Sequence, residues 1–211
     1  RIQRRILRTC AEMGTRAIVA THMLESMIEN PNPTRAEVTD VANAVYEEAD
    51  AIMLSGETTV GKYPVKCVEI LDRIARSTES SRGLRFTDNL AIEGDKQQIA
   101  QAAVNLAEAI SAKAIIVPTK RGRMANCHPQ ESIICAFTNS GATRRQLVMN
   151  RNVLSYQIDF GKDSDSTLAA AAAIMIKRDE FSPEDRVVVI SDTLAGDGIE
   201  AIQIRQIADL L

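Results

Sequence analysis

The sequence contains no tryptophan, and aromatic residues make up only 3% of its 211 residues. Single-stranded nucleic acids are bound largely by stacking bases on aromatic side chains, so this composition offers little for that purpose. The 25 basic residues are outnumbered by 28 acidic ones, which gives a net charge of −3. No overall basic field would therefore attract a phosphate backbone, and we expect no nucleic acid partner.

Long apolar runs are also missing. The richest run, residues 168–176, has nine residues, whereas a membrane-spanning helix needs about 18 or more. We therefore expect no membrane segment. Apolar residues at 45% and charged residues at 25% are ordinary for globular domains and argue against disorder.

Cysteine and histidine are too few and too scattered for a typical zinc site. The four cysteines show no C-x-x-C spacing, and only His22 and His128 could join them. Zinc sites use three or four such ligands at characteristic spacings. We expect no metal ligands in this chain, reduced thiols and a cytoplasmic location, since no leader peptide precedes the first predicted helix.

Two short apolar segments, residues 16–20 and 51–54, are predicted to be buried parallel strands. They end at Thr21 and Ser55, which are 34 residues apart. A (β/α)8 barrel has about 250 residues in eight units, hence about 31 per unit, and a doubly wound sheet gives similar spacing. Two strands cannot close a barrel, so they are either the last units of a barrel or parts of an open sheet.

Helices are predicted around these strands. Thr34 and Glu37 have the spacing of a capping box, and Pro64 is expected to open a helix after a loop over residues 56–63. The apolar residues of that helix recur at helical spacing and are predicted to form its buried face: Val65, Val68, Leu71 and Ile74.

A change of pattern predicts two domains. Residues 83–96 lose the periodicity and are predicted to link residues 1–82 to a second domain, residues 97–211. In the second domain, predicted strands alternate with helices, which is typical of an α/β layered architecture. The predicted strands are residues 114–117, 132–137, 153–158, 187–190 and 201–206.

One glycine-rich segment is similar to a phosphate-binding P-loop. Gly56 and Gly61-Lys62 have its spacing after a strand, but a P-loop needs Ser or Thr after the lysine to hold Mg²⁺. Tyr63 stands there, and Pro64 then removes a backbone donor. We interpret the segment as a βα loop with turn glycines.

Thr21 and Ser55 are candidate functional residues because both follow predicted parallel strands. The carboxyl ends of such strands are where ligands bind in barrels and in open α/β sheets. A hydroxyl group there can hydrogen-bond a carboxylate or phosphate or relay a proton, but it carries no charge. The alternative is that both residues are strand-terminal caps.

Several segments of the first 80 residues closely resemble pyruvate kinases. They include residues 21–27 (T-H-M-L-E-S-M), 31–37, 40–45 and 53–58 (M-L-S-G-E-T), in the order and spacing of that family. Residues 97–211 resemble the family's C-terminal domain more weakly. The resemblance implies an α/β fold with the last two β/α units of a (β/α)8 TIM barrel, followed by an α/β layered regulatory domain.

The resemblance also implies an activity, the glycolytic transfer of a phosphoryl group from phosphoenolpyruvate to ADP, giving pyruvate and ATP with Mg²⁺ and K⁺. The family's threonine at Thr21 contacts phosphoenolpyruvate and helps deliver a proton to the enolate, and its serine at Ser55 belongs to the same network. His22 stands where the family usually has glutamine, and we give it no catalytic role. A cytoplasmic homotetramer is implied as well.

The same resemblance places the remaining catalytic groups before Arg1: the carboxylates that bind Mg²⁺, a lysine, an arginine and the K⁺ ligands. Phosphoryl transfer depends on such positioned cations. We therefore expect a fragment of a pyruvate kinase that is inactive alone. Two alternatives stay open: a stand-alone module that binds a phosphorylated metabolite, or a regulatory subunit that completes a barrel supplied by another polypeptide.

Many relatives bind an allosteric sugar-phosphate effector at a loop of their C-terminal domain. The matching residues here are Thr119, Lys120, Arg121, Gly122 and Arg123. Arg121 and Met124 stand where the family usually has hydroxyl residues, and residues 192–198 lack the arginine of members that respond to fructose 1,6-bisphosphate. The stretch is either an anion site for a phosphorylated effector or a solvated basic turn.

Overall fold

The computed structural model describes residues 2–13, 15–20, 22–81, 83–84, 86, 94–122, 125, 132–178, 181–191 and 201–211. The chain divides into two compact units, Arg1–Leu90 and Ala91–Leu211. The division falls within residues 83–96, the stretch that the sequence analysis assigns to a linker. The two units are described separately.

The first unit alternates helices with short parallel strands. Its elements are α1 (Ile2–Glu12), β1 (Ile18–Val19), α2 (Arg35–Tyr46), β2 (Ala51–Ile52), α3 (Gly56–Thr59) and α4 (Pro64–Glu79). β1 and β2 pair in parallel, with Ile18 opposite Ala51. A 3-10 turn, Glu25–Ile28, lies between β1 and α2. Each strand is therefore followed by a connecting segment and a longer helix, as in a series of β/α units.

The helix starts follow the signals in the sequence. The Thr34 hydroxyl accepts a hydrogen bond from the Glu37 backbone N–H at 3.3 Å, and the Glu37 carboxylate accepts one from the Thr34 N–H at 2.7 Å. This reciprocal pair is the predicted capping box. Pro64 is the first residue of α4, where its missing N–H donor is not needed. Both predictions are confirmed.

The predicted buried face of α4 is wrong in part. Val65 and Val68 are 70% and 53% exposed. The side chains of α4 in the core of the first unit are instead Cys67, Ile70, Leu71 and Ile74, and they pack with Met23, Leu24, Met27 and Val41. Two overlapping sets of apolar residues share helical spacing along α4, so periodicity alone does not choose between them. The predicted loop 56–63 also differs, since it begins with the helical turn α3.

The second unit is a five-stranded sheet with helices. Its elements are α5 (Asp95–Ala109), β3 (Ala114–Pro118), β4 (Ile133–Thr138), α6 (Gly141–Leu147), β5 (Val153–Gln157), α7 (Ser164–Ile176), β6 (Arg186–Ser191) and β7 (Ala201–Gln206). The strand order is β5-β4-β3-β6-β7. All neighbouring pairs are parallel except β6 and β7, which are antiparallel. Each of the five predicted strands is present within one residue of its predicted bounds.

Both faces of this sheet are covered. Alternate residues of β3 enter different cores: Ile115 packs with Ala103 of α5 and Leu147 of α6, whereas Ile116 packs in the core that contains α7. Side chains alternate between faces along a strand, so a sheet covered on both faces needs apolar residues at nearly every position. The continuous apolar runs of β3, β4 and β6 follow from this three-layer arrangement.

Candidate functional site

Ser55 lies after β2, with its side chain exposed. It precedes α3, but its hydroxyl group makes no capping hydrogen bond to that helix. Its backbone carbonyl instead accepts hydrogen bonds from the hydroxyl groups of Thr58 and Thr59, at 3.3 and 3.0 Å. Ser55 is thus an exposed residue after the carboxyl end of β2, and its hydroxyl does not cap α3.

Thr21, the other predicted catalytic residue, lies outside the described residues. The next residue, His22, is exposed, has a left-handed backbone (φ 53°) and directs its Nδ1 atom to the carboxylate of Glu25. This contact occupies His22 within its own turn, and no step of the chemistry is assigned to it.

Glu57 is a buried carboxylate next to Ser55 that the sequence analysis did not single out. It lies in α3 and is only 3% exposed. Its Oε1 accepts a hydrogen bond from the Leu24 backbone N–H at 3.0 Å, and its Oε2 accepts one from the Ser55 N–H at 2.8 Å. Burial opposes ionisation of the carboxyl, but these N–H donors, the N–H of Glu57 itself and the nearby His22 together outweigh it and hold the pKa of Glu57 below its usual value. One carboxylate thus joins the segments that follow the two strands.

No local sequence pattern predicts that Glu57 is buried. It belongs to the M-L-S-G-E-T segment, but a glutamate in a first helical turn is ordinarily interpreted as an exposed residue that favours the helix dipole. Its burial depends on a donor 33 residues away in the chain.

Further contacts fix the segment between β1 and α2. The Lys62 backbone N–H donates to the Ile28 carbonyl at 2.9 Å, and the Lys62 ammonium pairs with Glu29 at 2.5 Å. Glu37 accepts hydrogen bonds from the N–H and the hydroxyl of Ser26, at 2.7 and 2.6 Å. Burial opposes ionisation of Glu37, but hydrogen bonds from Ser26 and Thr34 hold its pKa below the usual value. The segment is therefore held from both α2 and the loop after α3.

These two carboxylates make the first unit sensitive to acid. The pKa values of Glu37 and Glu57 lie below the usual 4.5 in the folded protein. The stability they contribute is therefore present above about pH 4.5 and is lost as the pH falls through their lower folded values. We expect the urea concentration at the unfolding midpoint of the first unit to decrease as the pH is lowered below about 4.5. Hydrogen exchange of the amides of α2 and α4 after urea pulses measures this midpoint. The double variant Glu37→Gln/Glu57→Gln should show a flatter dependence, and an unchanged slope would contradict this assignment.

The predicted effector stretch forms a turn after β3. The buried Thr119 hydroxyl accepts a hydrogen bond from the Gly122 N–H at 2.9 Å, and Gly122 has a left-handed backbone (φ 76°) that favours glycine. The Lys120 carbonyl accepts a hydrogen bond from the Thr143 hydroxyl at 3.1 Å. The side chains of Lys120 and Arg121 are exposed. Arg123, Met124 and residues 192–198 lie outside the described residues.

Metal ligands do not come together in the part of the chain that the structure describes. No group of three or more His, Cys, Asp or Glu side chains there could hold a metal ion. The described side chains therefore form no carboxylate cluster that fits Mg²⁺, and the resemblance places the ligands of both Mg²⁺ and K⁺ before Arg1. The adjacent pair Cys127 and His128 lies outside the described residues. Among the helices described, none has the length and apolar character needed to cross a membrane.

Comparisons with known proteins identify both units. Residues 1–68 match the profile of the family "Pyruvate kinase, barrel domain", and residues 97–204 match that of "Pyruvate kinase, alpha/beta domain". A chloroplastic pyruvate kinase isozyme G from Ricinus communis is 38% identical over 90% of this chain and 46% of its own length. A pyruvate kinase from Corynebacterium efficiens is 36% identical over 92% of this chain and 42% of its own.

The fold is also that of a solved pyruvate kinase. The crystal structure of the enzyme from Cryptosporidium parvum matches with a TM-score of 0.86 and 28% sequence identity, over 97% of this chain and 42% of that one. The present chain thus spans less than half the length of each of these relatives. The predicted fold class, a TIM-barrel portion followed by an α/β layered domain, is confirmed. Because the two profiles match in order and cover most of the sequence, the chain belongs to the pyruvate kinase family.

Proposed function

We propose that the whole protein containing this chain transfers a phosphoryl group from phosphoenolpyruvate to ADP and yields pyruvate and ATP, a step of glycolysis. The observation that carries the proposal is the match of both units, in order, to the two domains of one enzyme family. The chain spans less than half of its relatives, which supports the view that it is a portion of a longer enzyme. No observation favours a stand-alone regulatory module.

The residues of this chain act on the proton rather than on the phosphoryl group. When phosphoenolpyruvate loses its phosphoryl group, the remaining enolate must gain a proton at its methylene carbon to become pyruvate. A hydroxyl group can pass on a proton by donating one and accepting another. Ser55 offers an exposed hydroxyl after β2, and we assign it, with Thr21, to the network that delivers this proton. The family resemblance is the support for Thr21.

The cations and the assembly belong to the same proposal. Phosphoryl transfer needs positive charge around the moving group, and Mg²⁺ and K⁺ held by other parts of the whole protein would supply it. We expect the 211-residue chain alone to be inactive for that reason. A homotetramer and a cytoplasmic location complete the proposal, although named relatives include chloroplastic enzymes.

A coupled assay tests this function. Pyruvate formation from phosphoenolpyruvate and ADP, with Mg²⁺ and K⁺, is measured for the full-length polypeptide and for the 211-residue chain. Activity in the former and none in the latter is the expected result. An inactive full-length protein would refute the proposed activity, whereas an active 211-residue chain would refute only the part that places essential cation sites elsewhere.

The second unit carries a separate proposal for an effector. The exposed cations of the turn after β3, Lys120 and Arg121, would attract the phosphate group of an allosteric metabolite. Replacing both with alanine should weaken binding of fructose 1,6-bisphosphate or inorganic phosphate about 30-fold in calorimetry, since two charged contacts of about 1 kcal/mol each are lost. The matched control removes two other exposed lysines of the unit, Lys162 and Lys177. Equal weakening in both double variants would indicate a general charge effect and contradict a site.

A further inference from the structure

The buried carboxylate of Glu57 has no part in the proton network proposed above. We propose that Glu57 is a positioning residue that fixes the place of the Ser55 hydroxyl by tying the Ser55 backbone to Leu24. This inference rests on the proposed function, because it assigns Glu57 a role in the same reaction.

The geometry of Glu57 uses both of its oxygen atoms. Oε1 takes the N–H of Leu24 and Oε2 takes the N–H of Ser55. Leu24 follows β1 and Ser55 follows β2, and these two strands are parallel neighbours. The carboxylate therefore bridges two segments at the carboxyl end of the strands, the edge at which ligands bind in barrel enzymes.

Leu24 gives this bridge a rigid anchor. Its side chain is fully buried, in the same core as Met27, Val41 and Cys67. A well-packed side chain holds its own backbone in place, since interiors are close-packed and yield little. Through Glu57, the exposed Ser55 is thus connected to the core of the unit by two hydrogen bonds.

The charge of Glu57 is balanced in an unusual way. Among the described residues, the hydrogen-bond partners of the Glu57 carboxylate are backbone N–H groups, and His22 adds an electrostatic attraction. A buried carboxylate is costly unless donors such as these satisfy it. Because Glu57 lies between two segments at a ligand-binding edge, its hydrogen bonds fix the backbone of Ser55 in addition to stabilising the unit.

Glutamine is the substitution that breaks the bridge with little change of shape. An amide group has one accepting oxygen and one NH₂ group. Facing two N–H donors, the amide side chain of the Glu57→Gln variant could accept from one of them and would turn its NH₂ group toward the other. The variant therefore loses one of the two hydrogen bonds while it keeps the volume of the side chain.

Glu37 provides a matched control. It is also a carboxylate that accepts hydrogen bonds from backbone N–H groups, those of Ser26 and Thr34, but its bonds do not reach Ser55. Glu37→Gln therefore weakens the same unit without loosening the bridge. Glu37→Gln therefore reports the effect of destabilising the unit, whereas Glu57→Gln also reports the effect of displacing Ser55.

The experiment compares the two variants in the full-length polypeptide at a temperature where circular dichroism shows both to be folded. Pyruvate formation gives kcat and KM, and exchange of the pyruvate methyl hydrogens with D₂O, followed by proton NMR, reports proton transfer alone. For Glu57→Gln we expect kcat and methyl exchange to fall about 100-fold, as for a misplacement of about 1 Å. KM for phosphoenolpyruvate should change less than about fivefold, since Ser55 acts on the proton. Glu37→Gln should stay within about threefold of the wild type in every value.

Each other outcome is decisive. A Glu57→Gln variant within threefold of the wild type in methyl exchange would overturn the inference, and so would a Glu37→Gln variant that loses as much activity. A wild-type full-length protein that forms no pyruvate would overturn the proposed function itself. That failure appears before any variant is compared, so the two are distinguishable.

Discussion

Replacing Phe137 with alanine is expected to lower the free energy of unfolding of the second unit by about 3–5 kcal/mol. Phe137 lies on β4, between β3 and β5, and is fully buried. Its ring stacks on that of Tyr156, with centroids 5.1 Å apart. The substitution removes a large apolar side chain from the core that contains α7 and leaves a cavity, and it also removes an aromatic pair worth about 1 kcal/mol.

Hydrogen exchange at increasing denaturant concentration is the appropriate measurement, because it resolves the second unit from the first. The amides of β3 and β6 should report the global opening of the sheet. The control is Val148→Ala, at a residue that is 61% exposed, which should change the opening free energy by no more than about 0.5 kcal/mol. A loss below about 1 kcal/mol for Phe137→Ala would mean that the core is not packed as described.

The strands of the second unit could be predicted from the sequence because they are buried on both faces. In β3, the residues Ile115 and Ile116 enter opposite cores, so the strand is a short continuous apolar run with polar or turn residues around it. Such a run has the length of a strand rather than of a helix. The last strand, β7, could be predicted from its alternation instead, since Ile202 and Ile204 are separated by Gln203.

The face of α4 could not be predicted in the same way. Leu71 and Ile74 belong to both candidate sets of apolar residues, and only the packing of Cys67 and Ile70 against the core decides between them. A helical period describes the spacing of a face and not its direction when two apolar sets overlap. The direction depends on tertiary contacts that no local pattern contains.

The sequence predicts where the candidate site lies but not the hydrogen bonds within it. The position of Ser55 after a parallel strand follows from local patterns and from a general rule about ligand-binding edges. The burial of Glu57 does not, because it depends on the Leu24 N–H, which the fold brings to it from 33 residues away. Likewise, the hydroxyl of Thr119 accepts a hydrogen bond from Gly122 within its own turn, a use that the spacing of the two residues did not reveal.

Gly61→Ala is expected to have the largest combined effect on the first unit. A Cβ atom at Gly61 would lie 2.4 Å from the backbone oxygen of Glu57 and 3.0 Å from its carbonyl carbon. These atoms belong to the turn α3 and cannot rotate away, so the turn itself must move. We expect a loss of about 1–3 kcal/mol in the stability of the unit, as for overpacking in a well-packed region.

The same movement should reduce activity in the full-length polypeptide. Glu57 and Ser55 lie on the displaced turn or directly before it, so a shift of about 1 Å should lower kcat for pyruvate formation about 100-fold. Hydrogen exchange of α4 amides measures the loss of stability, and the coupled assay measures the loss of activity in the same preparation.

Gly56→Ala is the matched control because it makes the same chemical change at the start of the same turn. There a Cβ atom would meet the Cδ1 atom of Ile28 at 3.0 Å, the far end of a flexible side chain that can change its rotamer. We therefore expect a loss of less than about 1 kcal/mol and an activity within about threefold of the wild type. If both alanine variants lost equal activity, the effect would come from any bulk added to the turn. A loss of activity in Gly61→Ala alone would instead show that the cause is the close approach of residue 61 to the Glu57 backbone, and hence the displacement of Glu57.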